Sequence, residues 1–415
     1  MRSITQYFSY EKSYLYITLA FAFILPISRG LVSLFIVLLP LIWLIEGNLR
    51  NKLKQINTSK LLQVITIFTL YQFATILWSA DIHQALDSAR MYTYWFAIFV
   101  LATSIKKEWI DKIVTSFLYG MVISEIFAYM IFFEIYAYKG KPPEYPSPFM
   151  MHIDYSIFLA FTSILLLNRI LSKRYILQQK VIMGLFFLTV TTNLFISTGR
   201  TGQLAFVVAL LVSVIIHFRV TFKSMFIFLF VSSTLFIGAY KMLPIFENRV
   251  NSAQSDIQKF QNGNYSSSWG IRAAFWIITY DIVKENPVLG VGIGDYKDAA
   301  KSSLSKNDHS FSSNVQEFCT ASHFHNQYLM IITQGGIVGL SLMILIFIYL
   351  LRIKIDDPEI KELSILFATI YLVGFIAEPL WVKQFPTSLF VLIIGLIIAA
   401  SYSKKPSIES SHQNV

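Results

Sequence analysis

The stretch QYLMIITQGGIVGLSLMILIFIYLL, residues 327–351, carries no charged side chain. A helix needs about 20 mostly apolar residues to cross the hydrocarbon core of a bilayer, and lipid is the environment that suits such a run. Working outward from it, eleven further runs have the same character: roughly 14–28, 31–45, 61–78, 91–105, 113–136, 153–168, 181–197, 202–217 and 224–241 before it, and 363–378 and 386–402 after it. Composition agrees, since the 415 residues are 55% hydrophobic and only 14% charged, with 36 Phe and 22 Tyr. A soluble fold of this size needs about a quarter of its residues charged to cover its surface. The expectation is an all-α polytopic membrane protein with about twelve transmembrane helices. The first run leads straight through Pro26-Ile27-Ser28-Arg29-Gly30 into the second, which reads as a retained span rather than a cleaved leader.

Charge placement orients the spans. With the N-terminus inside, the inner segments hold twenty Lys and Arg, among them Arg50, Lys52, Lys54, Lys106, Lys107, Lys173, Arg174 and Arg352. The short outer loops hold six: Arg29, Arg90, Lys139, Lys141, Arg200 and Lys383. Positive charge stays on the cytoplasmic side, so both ends are expected inside. The boundaries that follow are spans one to nine over 1–241, an outer loop over 242–326, spans ten to twelve over 327–402 and a cytoplasmic tail over 403–415. The net charge of +10 is thus a topology signal, not the single basic face of a nucleic-acid reader. One cysteine, Cys319, rules out an internal disulfide, a Cys-based zinc site and an iron–sulfur cluster.

The loop 242–326 is the one connection with room for an extramembrane fold. Ile271 to Glu285 reads as a helix with an apolar face of Ile271, Phe275, Ile278 and Ile282, expected to dock on the bundle. Asn286-Pro287 stops it. Gly290-Val291-Gly292-Ile293-Gly294 follows, but without the G-x-G-x-x-G spacing or the βαβ setting of a dinucleotide loop.

Three places offer chemistry. Ser322-His323-Phe324-His325-Asn326-Gln327 stands where the loop re-enters the membrane. Imidazole suits proton abstraction near neutrality; histidines that merely hydrogen-bond at the headgroup level are the other reading. His-x-His puts both rings on one face only in a strand, whereas a helix start aims them about 200° apart, which weakens a metal site. Ser197-Thr198-Gly199-Arg200-Thr201-Gly202 is a tight outer turn holding a guanidinium at the level of lipid phosphates. Arg grips phosphate bidentately, but a snorkelling helix anchor fits as well. Arg272, in Trp269-Gly270-Ile271-Arg272, is expected on the first turn of the loop helix, a wasteful place for a cation unless an anion binds nearby. Glu125 and Glu134, nine residues apart in one expected span, point to opposite sides. His152-Ile153-Asp154 reads as an interfacial polar cluster.

These pieces resemble the O-antigen ligase and polymerase family: Ser197-x-x-Arg200, then Arg272 with Asn286-Pro287-Val288-Leu289-Gly290-Val291-Gly292, then His323-x-His325-Asn326-x-x-Leu329 with Gly336-Ile337-x-Gly339. Their order, the twelve spans and the long loop before the last three also agree. The resemblance implies a GT-C type glycosyltransferase of the bacterial inner membrane, with its active site on the periplasmic face and a periplasmic loop between spans nine and ten. It implies an O-antigen ligase of lipopolysaccharide biosynthesis. The donor would be a glycan on undecaprenyl pyrophosphate and the acceptor lipid A–core oligosaccharide, with membrane lipids as surroundings, no nucleic acid, no cofactor and no metal. By the same resemblance Arg200 and Arg272 bind the donor pyrophosphate, His325 is the catalytic base with His323 beside it, and Asn326 supports them. A polymerase with the same donor is the sister reading. A transporter or flippase is the alternative of another class, and an envelope scaffold a third.

Overall fold

The computed structural model describes residues 9–138, 140–143, 145–217 and 244–402, with single helical positions at 226, 230, 233, 237 and 241; of 244–250, 252 and 253 it describes the backbone alone. Every regular element among them is a helix. In chain order these are α1 (Tyr10–Ile24), α2 (Arg29–Glu46), α3 (Leu49–Thr58), α4 (Lys60–Ala74), α5 (Ile82–Thr93), α6 (Phe96–Ser104), α7 (Ile110–Phe132), α8 (His152–Leu171), α9 (Leu177–Ile196) and α10 (Arg200–His217). After the undescribed stretch come α11 (Pro244–Gln261), α12 (Ser268–Glu285), α13 (Tyr296–Lys306), α14 (Ser313–Ala321), α15 (Gln327–Arg352), α16 (Pro358–Ala377) and α17 (Gln384–Ser401).

Nine helices among the described residues are long and apolar enough to cross a membrane: Arg29–Glu46, Lys60–Trp78, Lys107–Phe132, His152–Leu171, Leu177–Ile196, Arg200–His217, Gln327–Arg352, Pro358–Ala377 and Gln384–Ser401. Nine of the twelve expected spans are these. The run expected at 14–28 forms the 15-residue α1, which stops ahead of Pro26; Leu25 keeps helical backbone, but Pro26 has no N–H to continue the ladder. The run expected at 91–105 is broken at Tyr94-Trp95 into α5 and the nine-residue α6. The ninth expected span, 224–241, and the tail from 403 lie outside the described residues. Helix α7 ends at Phe132, so Glu134 lies beyond it with φ of 58° instead of sharing a span with Glu125.

The bundle has a centre and a rim. Helix α17 is 94% buried and α8 83%, whereas α2 and α9 are 17% buried; a helix apolar on all sides belongs in the middle. Around α17 stands an aromatic hub in which Trp381 meets Trp95 at 4.8 Å, Phe375 at 4.9 Å and Phe390 at 5.0 Å between ring centroids. Edge-on packing of this kind fixes the short α16–α17 turn, residues 378–383, which carries part of the candidate site.

The long connection docks through its backbone. Helix α15 is broken at Gly336, with φ 59° and ψ −161°, and a broken spanning helix must have its freed amides and carbonyls satisfied by protein. Residues 287–292 do this: Val291 and Gly292 N–H donate to the Thr333 and Gln334 carbonyls at 2.9 and 3.0 Å, and Ile337 N–H donates to Pro287 at 3.0 Å. A Cβ at Gly336 would stand 2.2 Å from the Val288 carbonyl oxygen, so no other residue allows this approach. Asp295 accepts the Ala80 and Asp81 amides, at 2.6 and 3.0 Å, and ties the same segment to the start of α5. Above it, α12 buries Ala274, Phe275, Ile278 and Ile282 in a second core with Phe311, Val315, Cys319, Phe324 and Met330. The docking face expected from 271–285 is therefore present, with Ile271 at its edge.

Candidate active site

Helix α15 begins at Gln327 because Asn326 caps it. The Asn326 Oδ1 accepts the Leu329 amide at 3.1 Å, and its Nδ2 donates to the Ile376 carbonyl at 3.0 Å. Residues 322–326 are therefore outside the helix, and the His325 N–H donates to the His323 carbonyl at 2.9 Å, closing a three-residue turn around Phe324. His323 and His325 fall on one side, ring centroids 4.6 Å apart and tilted by 67°. Phe324 falls on the other, buried between Phe275 at 5.0 Å and Tyr296 at 5.7 Å. This corrects the expectation that a helix start would aim the two rings apart. Asn326 serves the cap, and its side-chain bonds go to Leu329 and Ile376 instead of to either histidine.

Both rings meet a carboxylate the sequence did not single out. Glu378, the fully buried residue that ends α16, has Oε2 3.1 Å from His325 Nδ1 and Oε1 3.5 Å from His323 Nε2. Lys383 Nζ stands 2.6 Å from the same Oε1 and 3.3 Å from Asp154 Oδ1 on α8. A buried charge is tolerable only when paired and hydrogen-bonded. Burial by itself would raise the Glu378 carboxyl. The His325 hydrogen bond, Lys383 and His323 outweigh it and hold the group at about 2. Burial depresses His323 to about 4, against the pull of Glu378, with His325 and Lys383 adding to the depression. Lys383 stays above its ordinary value despite burial, because Asp154 and Glu378 both face it. At neutral pH the cluster therefore holds an ionised Glu378, a charged Lys383 and a neutral His323. With the proton on His325 Nδ1, its Nε2 carries the lone pair; Phe318 stacks on that ring at 5.7 Å and 7°.

The donor atoms of His323, His325 and Glu378 lie within 4.8 Å of one another, close enough to hold a divalent ion. The Lys383 ammonium already occupies one of those carboxylate oxygens and opposes a second cation there.

The two arginines approach from another direction. The turn before α10 is pressed onto α8: Gly202 N–H donates to Ser156 Oγ at 3.1 Å, and Cβ atoms at Gly199 or Gly202 would come within 2.2 Å of Ser156. The glycines let the backbone seat, and Arg200 is left exposed at the helix start. Helix α12 starts at Ser268, capped by Ser267, so Arg272 stands on the second turn and not the first. Its Nη1 donates back to the Ser268 carbonyl and hydroxyl at 2.9 and 2.7 Å, which removes the argument from a wasted charge at a helix N-terminus. Burial lowers the proton affinity of Arg272; Glu378 raises it, Arg200 lowers it and Asp256 raises it. Arg272 thus feels both Arg200 and the carboxylate of the histidine cluster. Neither guanidinium pairs with a carboxylate among the described residues.

Glu378, Lys383 and Asp154 are the residues sequence reasoning missed. Their signal is faint: Lys383 stands out only as an outer-loop charge, Asp154 only as an interfacial acid, and Glu378 ends an apolar run. Two opposite charges five residues apart in a turn between two spans were the usable hint.

Residues 185–344 match the family model described as O-Antigen ligase. An uncharacterized protein of Haemophilus influenzae is 27% identical over 240 residues, which is 54% of this chain and 57% of that protein. The chain thus spans little more than half the length of that relative. The family window holds Arg200, Arg272, His323 and His325 and ends before Glu378. Through that segment, with both arginines and both histidines in it, the chain is similar to the O-antigen ligase family.

Proposed function

We propose that the protein is an inverting glycosyltransferase of GT-C type that moves a glycan from undecaprenyl pyrophosphate to lipid A–core oligosaccharide at the periplasmic face of the bacterial inner membrane. The observation that carries this reading is the His325–Glu378 pair, 3.1 Å apart, whose carboxylate acts on Arg272, which in turn feels Arg200. As the acceptor hydroxyl oxygen attacks the anomeric carbon, His325 Nε2 takes its proton. The new carbon–oxygen bond forms while the bond from that carbon to the pyrophosphate oxygen breaks, its electron pair leaving with undecaprenyl pyrophosphate. Arg200 and Arg272 meet the growing negative charge, which fixed cations stabilise without a divalent ion. Glu378 holds the His325 ring and balances the imidazolium that results.

Polymerisation uses the same donor chemistry with a second lipid-linked glycan as acceptor, and the family domain covers both. The lipopolysaccharide of a deletion strain separates them. Free lipid-linked polymer with bare core marks a ligase, whereas core bearing one repeat marks a polymerase. Transfer by the purified protein in detergent, where no compartments exist, excludes a transporter; absence of any transfer there removes the enzyme reading.

A further inference from the structure

A cavity of about 970 Å³ opens beside the histidine pair, near the top of the range of about 300–1,000 Å³ for small-molecule sites. His323, Lys383 and Asp154 form one end of it; Arg29, Arg90, Lys141 and Lys297 stand along the rest. Arg200, Arg272 and His325 are not among its lining residues. Arg90 has Asp87 at 3.5 Å, and Lys383 is paired with two carboxylates. The other three cations have neutral partners. Arg29 Nε donates to Gln384 at 2.7 Å, Lys141 donates to Ser147 Oγ and the Met150 carbonyl at 3.3 Å each, and Lys297 lies 5.9 Å over the Tyr296 ring. Among the described residues, three cations with no carboxylate within ion-pair distance therefore face one space, Arg29 of them in the field of Asp154.

The cavity and the turn that carries Arg200 lie on opposite faces of α8. On α8, Asp154 and Ser156 are two positions apart and so point about 200° apart around the helix. Ser156 meets the turn that carries Arg200, and Asp154 meets the cavity. Phe324 links the two regions: it packs against Tyr296, which lines the cavity, and against Phe275, which belongs to the helix of Arg272. An inverting displacement needs nucleophile and leaving group in line on opposite faces of the anomeric carbon. With the leaving pyrophosphate at the arginines, the attacking hydroxyl would come from the cavity side, where His323 lines the space with its ring centroid 4.6 Å from that of His325.

We propose that this cavity is the acceptor subsite and that it recognises an anionic saccharide, one bearing phosphate on a sugar other than the one attacked, through Arg29, Lys141 and Lys297. The proposal rests on the glycosyl-transfer reading above. It is tested with the full chain in detergent, lipid-linked donor, and acceptor glycan used either native and phosphorylated or after phosphatase treatment. Dephosphorylation is expected to raise the acceptor KM about tenfold, the loss of roughly one well-placed charge contact. Lys297→Glu should raise KM for the phosphorylated acceptor by at least as much, Lys297→Gln by less, and the dephosphorylated acceptor should no longer distinguish these proteins. If wild type uses both acceptors equally well, or if Lys297→Glu raises the donor KM instead, the subsite assignment is overturned while glycosyl transfer stands. If wild type transfers to neither, the transfer reading fails. Direct binding of the two glycans to the unreacted protein then decides the cavity, and equal binding overturns it.

Discussion

Replacing Glu378 by Gln keeps the shape of the side chain and removes only its charge. A carboxyl held at about 2, against its ordinary 4.5, has its ionised form favoured by about 3 kcal/mol through its neighbours. Removing one member of a buried ion pair costs about 3–5 kcal/mol, so Glu378→Gln should lower the melting temperature measurably at neutral pH. Trp381, packed in the aromatic hub and hydrogen-bonded through its amide to Gln327 Oε1 at 2.8 Å, keeps the turn in place. Catalysis should suffer separately. Gln can turn its amide nitrogen toward His325 Nδ1 and so favour the tautomer whose proton sits on Nε2, the nitrogen that has to be free. Loss of an orienting carboxylate beside a catalytic imidazole costs up to about 10⁴-fold, and a fall in kcat of about 10²–10⁴-fold is expected with donor KM little changed. The sign with pH is fixed by the direction of the shift. A carboxyl depressed in the folded state contributes stability that is complete above about 4.5 and lost as pH falls toward about 2. The wild-type protein should therefore destabilise over that window and Glu378→Gln should lack that component. His323, held at about 4 against its ordinary 6.5, adds a loss of stability between those two values in wild type, and in Glu378→Gln, without the carboxylate that raises it, the loss extends to lower pH. The assays are glycan transfer in detergent and thermal melts from pH 3 to 8. Wild-type kcat in folded Glu378→Gln would refute the positioning role, whatever the melting temperature does.

Alanine at Arg200 or Arg272 should lower transfer by about 10²–10³-fold, the scale for one charge-stabilising donor, and Lys at Arg200 should restore only part because bidentate geometry is lost; full activity in Arg200→Ala at normal protein level removes that residue from the mechanism. His325→Ala should cost about 10²–10⁴ in rate with donor binding intact, and His323→Ala less, since its ring lies farther from Glu378. EDTA should leave the rate unchanged, and inhibition reversed by one divalent ion would turn the His323–His325–Glu378 cluster into a metal site. Cys319 is buried, so it is a silent background for thiol labelling; Lys306→Cys, exposed on α13, should react with an impermeant reagent in intact spheroplasts. Labelling only after the membrane is opened would reverse the orientation.

The spans were legible because lipid imposes its requirement on each segment separately. Gln327–Arg352 needs no partner to be recognised as a membrane helix, and neither do eight other runs. The limits of that local signal show at Tyr94-Trp95, where an apolar run is broken because its aromatic residues pack into the hub around Trp381, and at Gly336, where a continuous apolar run conceals a break completed by residues 287–292. Arg200, Arg272, His323 and His325 could be chosen from the sequence because cations and imidazoles at helix ends stand out against apolar neighbours. Their partnership with Glu378, Lys383 and Asp154 could not. Glu378 is 53 residues from His325, and Asp154 reaches Lys383 from a helix far earlier in the chain. A buried charge acquires its meaning from what surrounds it, and those surroundings exist only once α8, α15, α16 and α17 are packed together.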